Sequence, residues 1–253
     1  YRTIRSGSME ADFAYLGEEP EPYRQVYFKE TNASRDDWRD LIELCQLLTE
    51  TPDKAFAASA KESLDMDNWL RFFAINTFFD NRETGLSNGI GDDFIHFKDL
   101  IGNRHVLVPY DLDTILGRGD TPGSPTAGLF RAAEPAQASG HLTQPDQVAR
   151  FLKHPEFVPR YFAELQRQAE TVFSEDQFSA FVKQVMGGRV DESEIERLKS
   201  FVATRREFIL SEIQQALTLS TNLPVKQGHR ISETALVALE GRANAITTPV
   251  SYT

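Results

Sequence analysis

Carboxylates flank two apolar runs near the middle of the chain, at 94–97 and 105–109. They are Asp80 in the preceding segment, Asp92 and Asp93 before the first run, and Asp111 and Asp113 after the second. Gly and Asn separate the runs, a pattern typical of a β-hairpin. Carboxylates so close repel one another unless a cation lies between them, and hard divalent cations prefer oxygen ligands. The stretch therefore predicts a hairpin that holds a divalent metal at its open end.

A helix predicted at 67–79 would position the first of these carboxylates. The helix is apolar nearly all round, which indicates a central buried helix, and it would hold Asp80 rigidly. The alternative is that Asp80 is a helix-end residue facing water. Asp111 and Asp113 lie two residues apart, so in extended backbone both side chains point to one side. The alternative there is a β-turn in which Asp caps neighbouring groups.

Other segments have the apolar spacing of helices that pack around this one. The first is expected to be capped by Asn32 or Ser34, and the others are predicted at 54–63, 146–153, 155–172, 175–186 and 191–217. Tyr23 to Lys29 alternates like a strand, and the Arg205-Arg206 segment is interpreted as a structural ion pair. Residues 117–145 are rich in Gly, Pro, Ser and Ala, so they predict a long functional or disordered loop.

The string VLVPYDLDTILGR at 106–118 resembles the signature of the CotH-type (spore coat protein H) atypical protein kinases. In that family the first Asp of the string corresponds to the metal-binding Asp of the kinase D-F-G motif, here Asp111. Asp80 matches the earlier Asp that ends a helix. The Asn that follows it in the family falls on Asp93, at a spacing of 93 − 80 = 13 residues instead of five. About eight residues near 83–90 are therefore interpreted as an insertion.

The resemblance implies an α+β fold, a mostly helical protein-kinase-like C-lobe with a small antiparallel β-hairpin at its metal site. Residues 1–31 would be a connecting segment from an upstream lobe, which would carry the phosphate-binding Lys and its Glu partner. Residues 32–221 would form the helical lobe. Residues 222–253 would be a linker and the first strands of a β-sandwich-like domain that continues beyond them.

The same resemblance implies transfer of the γ-phosphoryl group of ATP to Ser or Thr of a protein, with Mg²⁺ or Mn²⁺. Asp80 would accept or orient the hydroxyl proton. The predicted metal ligands are Asp93, Asp111 and Asp113, and the predicted nucleotide-binding residues are Asn88 and Arg118. The family also implies an extracellular or cell-surface location, as expected for secreted or spore-coat kinases of bacteria.

Two other classes of function remain open from the residues alone. One is a catalytically silent surface or adhesion module on the same scaffold, which the insertion and the Asp at position 93 favour. The other is a metal-dependent phosphoesterase, because clustered carboxylates serve that chemistry too. The net charge of −11 argues against nucleic acid or an anionic membrane as the main partner, and no apolar run is long enough to cross a bilayer.

Overall fold

A computed structural model of the chain describes residues 1–3, 11–82, 93–120, 122–131 and 146–213, and short pieces after 217 (218–221, 223–226, 229–232, 240–242 and 245–246). The helices are α1 (Arg39–Glu50), α2 (Asp53–Ser63), α3 (Met66–Phe79), α4 (Asp146–Leu152), α5 (Val158–Glu170), α6 (Glu175–Met186) and α7 (Glu192–Glu212). The strands are β1 (Arg2–Thr3), β2 (Tyr27–Phe28), β3 (Phe94–Lys98), β4 (His105–Pro109), β5 (Thr218–Ser220), β6 (Val225–Lys226), β7 (His229–Arg230) and β8 (Glu240–Arg242). This combination of helices and a small antiparallel sheet confirms the α+β class.

Helix α3 is the centre of the helical part, as its nearly all-round apolar sequence predicts. The side chains of Trp69, Phe72, Phe73 and Phe78 are buried in one continuous core. The Asp65 carboxylate accepts a hydrogen bond from the Asn68 amide at 3.0 Å, which caps the N-terminus of the helix. Because most of its side chains are buried, the far end of the helix is fixed in space.

The strands β3 and β4 form the predicted hairpin. They belong to a sheet with the order β2-β1-β3-β4, in which β3 is an inner strand and β4 is an edge strand. The amide side chain of Asn68 joins α3 to the outer strand, because it donates to the Leu107 carbonyl at 3.0 Å and accepts from the Leu107 amide at 2.8 Å. His96 and His105 pair across the buried face, with Nε2 and Nδ1 2.8 Å apart. Both side chains are buried.

The opposite face of this sheet is turned outward and carries apolar side chains together with one arginine. Phe28, Arg2, Ile95 and Val108 lie in register across its four strands. Phe28 and Val108 are 50% and 38% exposed. The Arg2 guanidinium lies 5.5 Å from the centre of the Phe28 ring and 5.8 Å from that of Tyr110. The face therefore ends beside the residue that precedes Asp111.

Some predicted boundaries were wrong. Neither Asn32 nor Ser34 caps α1, which begins after Trp38 with no side-chain cap, because both belong to a separate turn of 3₁₀ helix at Ala33–Arg35. The expected strand from Tyr23 to Lys29 is a 3₁₀ turn followed by the two residues of β2. The last helix, predicted to run to 217, ends at Glu212.

The pieces after residue 217 contain two short antiparallel pairs, β5 with β8 and β6 with β7. The division at 31/32 and 221/222, and the β-sandwich-like domain, stay predictions. Among the residues that the structure describes, no helix is both long and apolar enough to cross a bilayer.

Candidate active site

Asp80 lies directly after α3 and turns the chain away from the helix axis. Its backbone has φ 43°, and its amide donates to the carbonyls of Asn76 and Thr77, so it closes the C-terminus of the helix. The residue is 3% exposed. Burial excludes the alternative in which Asp80 is a helix-end residue that faces water.

Two groups from a later segment contact the Asp80 carboxylate. The Ser124 amide donates to Oδ2 at 2.6 Å. One guanidinium nitrogen of Arg131 lies 3.2 Å from Oδ2 and 3.3 Å from Oδ1. A buried carboxylate needs such donors because its charged form is otherwise too poorly solvated. The Asp80 carboxylate is therefore buried in the helical part together with the hydrogen-bond donors that its charge requires.

Gly123 makes this close approach possible. A Cβ atom there would lie 2.4 Å from the Asp80 carbonyl oxygen and 2.8 Å from its Oδ2. Real Cβ atoms do not come so near to backbone oxygen, so any larger residue would push the segment off Asp80. The sequence around it, rich in Gly and Pro, indicated a loop but not this contact.

Arg205 of α7 ties the same segment to the end of α3. Its buried guanidinium donates to the Thr77 carbonyl, from Nε at 3.0 Å and from Nη2 at 2.8 Å, and also to the carbonyls of Pro125 and Ala127. Burial lowers the pKa of Arg205, and the nearby Asp80 charge opposes that effect. Among the described residues its hydrogen-bond partners are carbonyls, and its interpretation as part of an ion pair stays a prediction.

Tyr161 of α5 also holds this segment against the end of α3. Its hydroxyl donates to the Leu129 carbonyl at 2.7 Å and lies 2.7 Å from the Thr77 hydroxyl. We call residues 123–129 the covering segment, since Ser124 at its start contacts Asp80 and buried side chains hold the rest. The segment is thus fixed by polar contacts from two helices that are distant in sequence.

The open end of the hairpin carries the other predicted site residues. The Tyr110 amide donates to the Asp93 carbonyl at 3.0 Å, so Asp93 lies across from the start of the Asp111 segment. Asp93 is 8% exposed, whereas Asp111 and Asp113 are both exposed. The backbone at Asp93 and Asp111 has φ of 64° and 49°.

The chain after Asp113 returns to the end of α3. The Leu116 amide donates to the Phe79 carbonyl at 3.1 Å, which brings this stretch beside Asp80. The Arg118 Nε donates to a Glu194 carboxylate oxygen at 2.9 Å, and Arg197 donates to the Leu116 carbonyl at 3.0 Å. The structure therefore places Leu116, five residues after Asp111, beside the end of α3, with Arg118 paired to α7.

Not every predicted ligand could be placed. Asn88 lies outside the described residues, as does Asp92. Within the described part of the chain, no three His, Cys, Asp or Glu side chains come together in a group that could hold a metal by themselves. Two carboxylates combined with substrate phosphates are the usual arrangement for Mg²⁺, so the predicted assignment of Asp93, Asp111 and Asp113 stays a prediction.

Comparison with known proteins gives the family. The chain matches the family model described as "CotH kinase protein" over residues 4–188, which is most of its length. The chain therefore belongs to the CotH kinase family, an atypical kinase class. A search of curated proteins finds no match.

Proposed function

We propose that this protein is an ATP- and divalent-metal-dependent kinase that transfers the γ-phosphoryl group to Ser or Thr of a protein. The observation that carries the proposal is the match of three carboxylates to the family's site positions. Asp80, Asp93 and Asp111, the three carboxylates that match the family's site positions, all have positive φ. Non-glycine residues avoid this conformation, and where a fold retains it the position is commonly functional.

Positive φ is not confined to these three positions, because it also occurs at Phe13, Asn32, Asp36, Asn103 and Leu116. Asp80 ends α3, and Asp93 and Asp111 flank the open end of the hairpin, which the Leu116–Phe79 hydrogen bond joins to α3. Asp tolerates left-handed backbone better than most residues but still less well than Gly. Asp36, which ends a 3₁₀ turn at φ 50°, shows that a turn alone also accepts Asp. The support for function therefore comes from the match of all three carboxylates to the family's site positions.

The role proposed for Asp80 is to orient the acceptor hydroxyl and receive its proton. The Ser124 amide at 2.6 Å fixes Oδ2, and the helix C-terminus fixes the backbone. Once an acceptor hydroxyl reaches it, a carboxylate held in this way receives the proton without changing its own position, which is how positioning lowers the barrier to phosphoryl transfer.

Asp111 is proposed to bind the metal that accompanies ATP, with Asp93 or Asp113 as the second protein ligand, since no three described carboxylates come together. Exposed carboxylate oxygens fit Mg²⁺ or Mn²⁺, and a metal that keeps water and phosphate ligands needs few from the protein. When bound, such a metal neutralises charge on the phosphates during transfer. Asn88 and Arg118 are retained as proposed nucleotide-binding residues, although Arg118 would first have to leave Glu194.

The outward apolar face of the sheet suits the base of the nucleotide. Ile95 and Val108 are adjacent on that face, and the strand that carries Val108 leads directly to Asp111. These apolar side chains would bury one side of an aromatic base, and Asp111 would then lie toward the phosphates. We extend the proposal to an extracellular or cell-surface location, which rests on the family resemblance alone.

Thermal unfolding of the full-length protein tests the proposal. Mg²⁺ or Mn²⁺ should raise the melting temperature, and ATP with the metal should raise it further, because ligands that bind only the folded state stabilise it. Asp111→Asn should remove the shift. Asp120→Asn, which changes an exposed carboxylate of the following loop, is the matched control and should retain it. If no divalent cation and nucleotide shift the wild-type protein, the kinase proposal is wrong.

A catalytically silent surface module is the second candidate, favoured by the negative charge of Asp93 where the family has Asn. Asp93→Asn removes one charge that would face the phosphates and restores the family's residue. If the protein is a kinase, this variant should retain activity or gain it, with nucleotide affinity the more sensitive quantity. Wild-type and variant proteins that both bind no nucleotide would instead support the silent module.

A further inference from the structure

The Asp80 carboxylate is covered on both oxygens in this structure. Oδ2 accepts from the Ser124 amide and lies near Arg131, and Oδ1 lies near Arg131. With the residue 3% exposed, an acceptor hydroxyl has no free path to either oxygen. Something that touches Asp80 must move before the carboxylate can take part in a reaction.

The two contacts differ in strength. The Ser124 contact is short, at 2.6 Å, and comes from a backbone amide. The Arg131 contacts, at 3.2 and 3.3 Å, are longer than the usual length of about 2.7–2.9 Å for a charge-assisted hydrogen bond. The Arg131 side chain is also 31% exposed. Of the two contacts, the one with Arg131 is therefore easier to replace by another hydrogen-bond donor.

The contacts of the covering segment also indicate that Arg131 is easier to move than Ser124. Arg205 holds the carbonyls of Pro125 and Ala127, and Tyr161 holds the carbonyl of Leu129, all from buried side chains. Moving Ser124 would disturb these buried contacts, and each would leave an unpaired polar group. Moving the Arg131 side chain breaks none of these contacts, since Arg131 lies beyond the last of these attachments.

We propose that Arg131 is a gating residue that covers Asp80 Oδ1 until an acceptor hydroxyl replaces it, while the Ser124 amide keeps Oδ2 in place throughout. The gate itself follows from the contacts of Asp80, whereas its part in phosphoryl transfer rests on the proposed function. On displacement the guanidinium turns toward solvent, and the hydroxyl donates its hydrogen to Oδ1.

Chemical labelling of Asp80 tests the gate without reference to activity. The full-length protein is treated with a water-soluble carbodiimide and an amine, and the modified Asp80 peptide is followed over time by mass spectrometry. Arg131→Gln should raise the initial labelling rate about two- to fivefold, the population change that partly exposed ion pairs typically supply. Arg131→Lys, which keeps the charge but loses the planar fork, should fall between wild type and Arg131→Gln.

Arg160→Gln is the matched control. Arg160 pairs with Asp67 at the opposite end of α3, about 20 Å from Asp80 by the rise of the helix. It should label Asp80 at the wild-type rate. Thermal unfolding establishes that each variant is folded, and Arg131→Lys keeps the test open if Arg131→Gln unfolds. Equal Asp80 labelling in wild type and in the folded Arg131 variants would overturn the gate.

A transfer assay separates this proposal from the proposed function. With an acceptor protein, Arg131→Gln should lower the KM for the acceptor about two- to fivefold and leave the KM for ATP unchanged, because the gate touches only the hydroxyl side. Faster labelling with no transfer in any variant would refute the kinase while the gate stands. A KM for the acceptor that rises in Arg131→Gln would refute the gating role.

Discussion

The two sides of this site are built differently. On the closed side, Asp80 is buried and held by the covering segment, with Arg205 beside it. On the open side, Asp111 and Asp113 are exposed on a short segment that follows the hairpin. The comparison suggests that the fold prepares the proton acceptor in advance but leaves the proposed metal ligands to be completed by the nucleotide. Substitutions on the closed side should therefore affect turnover or stability, and those on the open side should affect ligand affinity.

The largest effect is expected from Asp80→Asn, which keeps the shape and an oxygen that can accept from Ser124. Loss of the proton acceptor should reduce turnover by about 100- to 10,000-fold, with nucleotide affinity preserved. Asp111→Asn should weaken metal-dependent nucleotide binding as well as turnover. Steady-state kinetics and a nucleotide titration measure both quantities. Equal losses of affinity in the two variants would contradict the division between the two sides.

The next effect is on stability and concerns Arg205. Arg205→Met leaves the Thr77 and Ala127 carbonyls without their donor and should lower the free energy of unfolding by about 2–4 kcal/mol. Arg206→Met is the matched neighbour, because Arg206 makes one partly buried bond, to the Ala169 carbonyl. It should cost about 1 kcal/mol. Urea unfolding of both variants decides whether Arg205 is the stronger attachment.

The buried histidine pair should make stability depend on pH. Burial, and then the charge of Lys98, lower the pKa of His105 to about 4, and burial also lowers the pKa of His96. The unfolded chain, with a His pKa near 6.5, binds protons first as the pH falls. As the pH falls from about 6.5 to 4, the free energy of unfolding should therefore decrease, with a contribution from His105 on the order of 2–3 kcal/mol. Urea unfolding across that range should show a smaller drop in His105→Gln, and an unchanged drop would exclude this source.

The smallest expected effect tests backbone strain on the open side. At φ 49°, Asp111→Ala should be less stable than Asp111→Gly by about 1 kcal/mol, because Cβ disfavours left-handed backbone. Asp113 is the control, since its φ is not positive. There the Ala variant should be at least as stable as the Gly variant. Thermal unfolding of the four proteins gives the comparison, and the same order at both positions would mean that Asp111 is not strained.

Much of the scaffold could be predicted because its signals are local. The apolar spacing of α3 and the Gly/Asn turn between the two runs depend on residues a few positions apart, so the hairpin and the central helix were found where expected. The motif around Asp111 identified the family, which the match over 4–188 confirms. The ends of elements were predicted less well, since α1 lacks the expected cap and α7 stops early.

The sequence by itself determined the α+β class, the hairpin and the set of carboxylates available for chemistry. Only the tertiary structure decided that Asp80 is buried and which groups cover it. Arg131 is 51 residues from Asp80, and Arg205 is 128 residues from Thr77. No local pattern encodes such pairs, because they arise when α3, α5 and α7 pack and their buried polar groups must find partners. The same packing placed Gly123 against Asp80, where any side chain would collide.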